Sequence, residues 1–381
     1  MKFENKFISL VQEIYKTTEF IPLHEPKFIG NEKKYVLDTI DSTFVSSVGK
    51  YVDDFEKKIA DFVGVKFSIA TVNGTSALQI AMQISDVNPG DLVITQSLTF
   101  VATCNAIKYC GAEPLFVDVD KSTMGLSPAS LEDYLDKNAI VKDSMCIHKD
   151  SGKVIKACVP MHTFGCPSSI IKIKRICTAH HIKLVEDSAE SLGSTFDGQH
   201  TGTFGDVGII SFNGNKIITT GGGGMILTNN EELALKAKHI TTTAKIPHKW
   251  DYVHDMIGFN YRMPNLNAAL GCAQIESLPT FVKSKRKLAE LYANWCSEND
   301  VTFFQESGLS KSNYWLNALI LKDSEQRIAF LKATNENGVM TRPSWKPMHK
   351  LEMFADCYSG SLANTDWLSE RIVNIPSSVT G

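Results

Sequence analysis

The chain has 381 residues, 43% hydrophobic and 21% charged, with 39 basic against 42 acidic side chains. That balance is ordinary for a globular protein. A net charge of -3 without blocks of like charge excludes the basic footprint of a nucleic-acid binder.

A chain this long buries a core without disulfides or metals, and its length suits two domains. The nine cysteines are odd in number, form no C-x-x-C and sit mostly in apolar runs such as AIKYCGAEPLF. They are expected to be buried, reduced thiols in a cytoplasmic protein.

The N-terminal MKFENKFISLVQEIYKTTEF carries charges throughout, so it is not a signal peptide. Phe3, Phe7, Val11 and Ile14 recur at near-helical spacing and predict a short amphipathic helix packed on protein. No run approaches bilayer-spanning length.

From Phe67 to Thr228, short β-rich runs (FSIATV, DLVITQ, EPLFVDV, KACVPMH, IKLVED, VGIISF, GMILT) alternate with helical patterns. This alternation predicts an α/β fold with a mostly parallel sheet flanked by helices. NEELALKAKHI and NLNAALGCAQIESLPTFVKSKRKLAELYANWCSE then read as helices, the second broken or kinked by its proline. Past residue 300, FFQE, NYWLNALIL and SEQRIAFLKATNENG suggest a smaller α+β domain. The expected division is a large domain over 1–265, with its N-terminal helical extension, and a small domain over 266–381.

Ligands of parallel sheets bind at the carboxyl ends of strands. Three such ends carry chemistry. FSIATV runs into Asn73-Gly74-Thr75-Ser76, small residues opening a helix whose free amides and dipole suit an anion. An ordinary helix cap reads the same way. IKLVED stops on Glu186 and Asp187, and a carboxylate there can hold a cationic ligand nitrogen. VGIISF leads into SFNGNKIITTGGGGM, which fails as a phosphate loop because its glycines follow the lysine. Gly221 to Gly224 instead allow tight turning or close backbone approach. Lys216 is then a lone amine among small or uncharged residues, suited to attack on a carbonyl. Each signal is weak alone. An anion site, a carboxylate and a Schiff-base lysine in this order describe a site for pyridoxal phosphate.

EDSAESLGS, GDVGIISFNGNKIITTGGGGMILT and GFNYRMPNLNAALG resemble the DegT/DnrJ/StrS sugar aminotransferases, fold type I pyridoxal-phosphate enzymes. The resemblance runs from FIPLHEPKFIGNE to PSWKPMHKLEMF and implies a seven-stranded large-domain sheet. It implies that Lys216 forms the Schiff base and shuttles protons, and that Asp187 holds the pyridine nitrogen. Gly74, Thr75, Ser76 and Ser211 would bind the phosphate, and Phe100 would stack on the ring, although core packing explains that residue nearly as well. Asn260 would reach the cofactor phosphate of a neighbouring subunit, which implies a homodimer with shared active sites. Glu190 stands where the family often has a glutamine that touches the ring hydroxyl, and G-G-G-G replaces the commoner G-E-G-G.

Both departures resemble the subgroup of the legionaminic acid pathway. That likeness implies a UDP-linked 2-acetamido-4-keto-2,6-dideoxyhexose substrate, L-glutamate as donor and a ping-pong mechanism. Ser46, Ser47, Lys50, Arg262, Trp345 and His349 are candidates for substrate contact. His162 is expected to be a hydrogen-bonded structural histidine, and two histidines do not make a metal site. Competing readings are a dehydratase, which in this family usually has histidine in place of the lysine, and a regulatory protein on the same fold.

Overall fold

In the computed structural model, which describes residues 2–380, the apolar runs of the first half form one seven-stranded sheet. Its strands are β1 (Phe67–Thr71), β2 (Leu92–Gln96), β3 (Glu113–Val117), β4 (Ile155–Val159), β5 (Lys183–Asp187), β6 (Val207–Ser211) and β7 (Gly224–Thr228). They lie in the order β1-β7-β6-β5-β4-β2-β3. Only β7 runs against its neighbours, pairing antiparallel with both β1 and β6.

Continuous apolar strands are needed because both faces of this sheet are covered. Successive side chains point to opposite faces. Val93, Ala157, Val185 and Ile209 face one core, together with Ala77, Ile80 and Ala81 of α4 (Gly74–Ile84) and Ala106 of α5 (Val101–Tyr109). Leu92, Ile94, Cys158 and Leu184 face the other, under α6 (Pro128–Asn138) and α7 (Ile170–Ala179). Eight of the nine cysteines are buried, as small hydrophobes commonly are.

The N-terminal helix α1 (Phe3–Tyr15) forms as its spacing predicts. Phe7 and Val11 pack with Tyr292 and Phe330 of the C-terminal part of the chain. Helices α2 (Glu32–Asp41) and α3 (Lys50–Val63) lie against α9 (Asn265–Glu298), while α8 (Glu231–Thr241) packs on β1 and β7.

Of the expected break or kink at Pro279, the break does not occur; α9 spans 34 residues with the proline inside. The proline is on the exposed side, while Leu278 and Phe281 beside it are fully buried. Packing of that buried face outweighs the roughly 3 kcal/mol that an interior proline costs.

Beyond α9, β8 (Thr302–Phe303), β9 (Asn317–Ile320), β10 (Arg342–Pro343) and β11 (Ile372–Ile375) form an antiparallel sheet ordered β8-β9-β11-β10. It carries α10 (Ser324–Glu336), whose N-cap Asp323 accepts a bond from the Gln326 amide at 2.8 Å. Among the described residues, no helix is long and apolar enough to cross a membrane.

Candidate active site

At the end of β1 the chain turns at Asn73, whose Oδ1 accepts the Ser76 amide at 2.8 Å and starts α4. Helix geometry leaves the Gly74 and Thr75 amides without intrahelical acceptors, at the positive end of the dipole. A Cβ on Gly74 would lie 2.9 Å from Ser211 Cβ and 3.1 Å from its Oγ. Glycine is what allows the helix start and the end of β6 to meet. The glycine run after Lys216 belongs to the same joint. Gly221 turns with φ +80°, and Gly224 pairs with both Ser211 and Thr71.

Strand alternation separates the two carboxylates that end β5. Glu186 points to the far side, where Oε1 accepts the Phe204 and Gly205 amides at 2.6 and 2.7 Å. Its Oε2 takes the Gly202 amide at 2.9 Å and lies 3.1 Å from His162 Nε2. His162 is fully buried, and its Nδ1 accepts the Ser168 amide at 3.1 Å, so it is the structural histidine expected. Asp187 faces the opposite way and is 3% exposed. Its Oδ2 accepts from Thr103 Oγ1 at 2.7 Å and its Oδ1 from the Ala189 amide at 3.1 Å. Burial raises its pKa, against the lowering effect of those two bonds and of Lys216.

Lys216 Nζ comes to the same space from the loop after β6. It stands 3.9 Å from the centroid of the Trp315 ring and 3.5 Å from Glu190 Oε1. The indole is fixed from behind, because Trp315 Nε1 donates to the Asn215 carbonyl at 2.6 Å. Glu190 is 3% exposed, and its Oε2 accepts the Phe164 amide at 2.9 Å. Burial pushes its carboxyl up to about 7, with Lys216 and the Phe164 amide opposing and Asp187 adding to the rise.

These groups enclose a cavity of about 320 Å³. Of the residues singled out in the sequence, Gly74, Thr75, Phe100, Asp187, Glu190, Ser211, Lys216 and Trp345 line it. Phe100 is half exposed at its edge, 6.4 Å from the Trp345 ring.

The other candidates lie outside the lining. Ser76 is buried, its amide taken by Asn73. Asn260 is exposed and its Oδ1 accepts from Arg262 Nε and Nη2 at 3.1 and 3.0 Å. Lys50 pairs with Asp38 at 3.0 Å beside a separate cavity, and Ser46 and Ser47 lie in the loop before it. His349 Nδ1 is 2.8 Å from Ser97 Oγ and its Nε2 is 3.4 Å from Asp366; burial lowers its pKa.

The donor set fits pyridoxal phosphate. Burial penalises the Asp187 carboxylate, and a ring nitrogen carrying a proton is the cationic partner that would offset that penalty. The Gly74–Ser211 joint beside two helix amides suits a phosphate.

The profile of the DegT/DnrJ/EryC1/StrS aminotransferase family matches residues 26–380. The chain belongs to this family. It is 35% identical to GDP-perosamine synthase of Escherichia coli O157:H7 over 359 residues, 94% of this chain and 93% of that one. It is 36% identical to GDP-perosamine synthase of Vibrio cholerae over 362 residues, 94% of each. The solved structure of the aminotransferase TlmJ from Streptoalloteichus hindustanus superposes with a TM-score of 0.85 at 27% identity, covering 94% of this chain and 93% of that one. The protein is thus a sugar aminotransferase dependent on pyridoxal phosphate.

Sequence reasoning missed several wall residues of this aminotransferase. Thr103, Met161, Asn213, Asn215 and Trp315 all line the cavity, as does Asn73 of the predicted anion-site segment. Asn213 and Asn215 flank the lysine in sequence and were within reach. Trp315 lies far along the chain from Lys216, in NYWLNALIL, which reads simply as a strand. The observed strand β9 starts only at Asn317, after the positive-φ residue Tyr314.

Proposed function

We propose that this aminotransferase moves the amino group of L-glutamate to C4 of a nucleotide-linked 4-keto-6-deoxy sugar for surface-glycan biosynthesis. The observation that carries the reading is the convergence of Lys216, Asp187 and the Gly74–Ser211 joint on one cavity. When bound, pyridoxal phosphate supplies an electron sink for charge developing at the donor's α-carbon.

The residues divide the remaining work. Gly74, Thr75 and Ser211 hold the phosphate. Asp187, held by Thr103 and the Ala189 amide, accepts the bond from the ring nitrogen. Phe100 covers the ring, and Glu190 meets its hydroxyl. Lys216 Nζ would hold the aldehyde carbon and, as a free amine, would take the proton from the donor's α-carbon in one half of a ping-pong cycle and deliver one to C4 of the sugar in the other. Ser47, Lys50, Arg262, Trp345 and His349 are the proposed sugar-nucleotide contacts.

The protein acts as a cytoplasmic homodimer in this reading, with Asn260 serving the phosphate of the neighbouring subunit. Asn260 is exposed and away from its own cavity's lining. The segment leading to it exposes Trp250 (74%), Tyr252 (80%) and Ile257 (89%), an apolar surface that a second copy would cover.

Resemblance to the legionaminic acid subgroup favours UDP-2-acetamido-2,6-dideoxy-4-ketohexose as acceptor, whereas the two perosamine synthases are named for a GDP sugar. Supplying pyridoxal phosphate and then glutamate, followed by UDP- or GDP-linked keto-sugars, tests the whole reading by visible absorbance. Colour should appear, bleach with glutamate and return with the true acceptor. Lys216→Ala should keep the fold and lose both half-reactions; wild-type turnover by that variant would overturn the assignment.

A further inference from the structure

Lys216 must be an uncharged amine whenever it attacks or takes up a proton, yet an isolated lysine is a cation at neutral pH. Its surroundings contain an acceptor for that proton. Glu190 Oε1 lies 3.5 Å from Nζ in a water-poor wall, and the Trp315 ring supports the ammonium from another side.

Both flanking groups are held by one buried side chain. Asn313 donates from Nδ2 to the Glu190 carbonyl at 2.9 Å, and its Oδ1 accepts the Trp315 amide at 2.8 Å. The other carboxylate oxygen of Glu190 is tied to the amide of Phe164, a residue held at φ +56°. Positive φ is uncommon for a bulky residue. Here it accompanies an amide directed at the carboxylate.

We propose that Glu190 is the proton-exchange partner of Lys216. An N–H bond of the ammonium breaks and an O–H bond forms on the carboxylate, converting an ion pair into a neutral acid–amine pair; the reverse step returns the proton. The pair's net charge is unchanged throughout. Burial favours the neutral pair more than water would, because desolvation penalises the ion pair. A glutamine at this position has no carboxylate to accept the proton.

The charged groups acting on Glu190 are Lys216, which favours its carboxylate, and Asp187, which disfavours it. His24 and Lys285 also lie in this region and are both driven toward their neutral forms by burial. His24 is therefore a poor acceptor for the Lys216 proton. The inference rests on the reading that Lys216 is the reactive amine.

The test is the pH profile of glutamate-driven bleaching in a single turnover of the holoenzyme, with the pH titration of its colour as a second readout. The wild-type rate should rise through the neutral range as Glu190 ionises. Glu190→Gln should still acquire colour, bleach about 100-fold more slowly and lack the neutral inflection. Matching profiles for the coloured wild type and variant would overturn the proposal while leaving the role of Lys216 intact. A wild-type profile flat through neutrality overturns it without any variant. A wild type that never colours removes both readings.

Discussion

Glu190 has a consequence for folding as well as for chemistry. Its native pKa, near 7, stands above the ordinary glutamate value because the carboxyl is buried. Between the unfolded and native values, the native state binds the extra proton, so stability falls as pH rises. The loss over that window is about 3 kcal/mol for a shift of this size. Cofactor-free wild type should therefore melt at progressively lower temperature from about pH 4.5 to 7, and Glu190→Gln should flatten that slope. Equal slopes would show that the carboxyl is ionised at no cost. His200 works in the opposite direction. Buried, with Nε2 accepting the Gly193 amide at 2.7 Å and its pKa lowered to about 4, it contributes stability that is lost as pH falls below its ordinary value. Glu190 was legible in the sequence as a departure from a familiar glutamine. Its pairing with Lys216 was not, because 26 residues separate them and only the fold brings them together.

At the scale of elements, the site depends on how closely strand ends approach. The start of α4 meets the end of β6 only because Gly74 lacks a Cβ. Gly74→Ala introduces a methyl 2.9 Å from Ser211 Cβ, an overpacking cost of about 1–3 kcal/mol. The variant should fold, melt a few degrees lower and bind pyridoxal phosphate at least about tenfold more weakly, as read by titration of visible absorbance. Unchanged affinity would move the phosphate away from this joint. The same close approach explains the glycines after Lys216. They carry no phosphate-loop spacing because they serve the β1–β7–β6 seam, where Gly224 pairs with Thr71 and Ser211. Strand and helix identities were readable from periodicity. The continuity of α9 through Pro279 was not, because it depends on what packs against Leu278 and Phe281.

For the whole molecule, α9 is the member that joins the two sheets. Its Lys285 is fully buried and donates to the carbonyls of Trp315, at 3.1 Å, and Ser377. This side chain ties the long helix to the C-terminal strand region and to the wall beneath Lys216. Lys285→Met should leave both carbonyls unpaired and cost on the order of 2 kcal/mol or more. Denaturant unfolding should show that loss, and colour formation should weaken as Trp315 loosens. A variant as stable as wild type with full colour would show that the lysine is not a structural tie. The N-terminal helix belongs to this scale too. Phe7 and Val11 come first in sequence yet pack against Tyr292 and Phe330.

The sequence by itself determined the alternating strands and helices, the order of anion site, carboxylate and lysine, and the family to which the chain belongs. Those features are local: each is written in a few adjacent residues whose spacing, polarity and backbone freedom act over one turn or one strand end. The tertiary structure alone decided which face each strand-end carboxylate takes, so that Glu186 binds backbone amides while Asp187 enters the cavity. It also decided that Trp315 and Glu190 flank Lys216, and that Ser76, Lys50 and His349 lie outside the cavity lining. Such choices depend on contacts between segments distant along the chain. Burial, not sequence spacing, sets both their geometry and their charge.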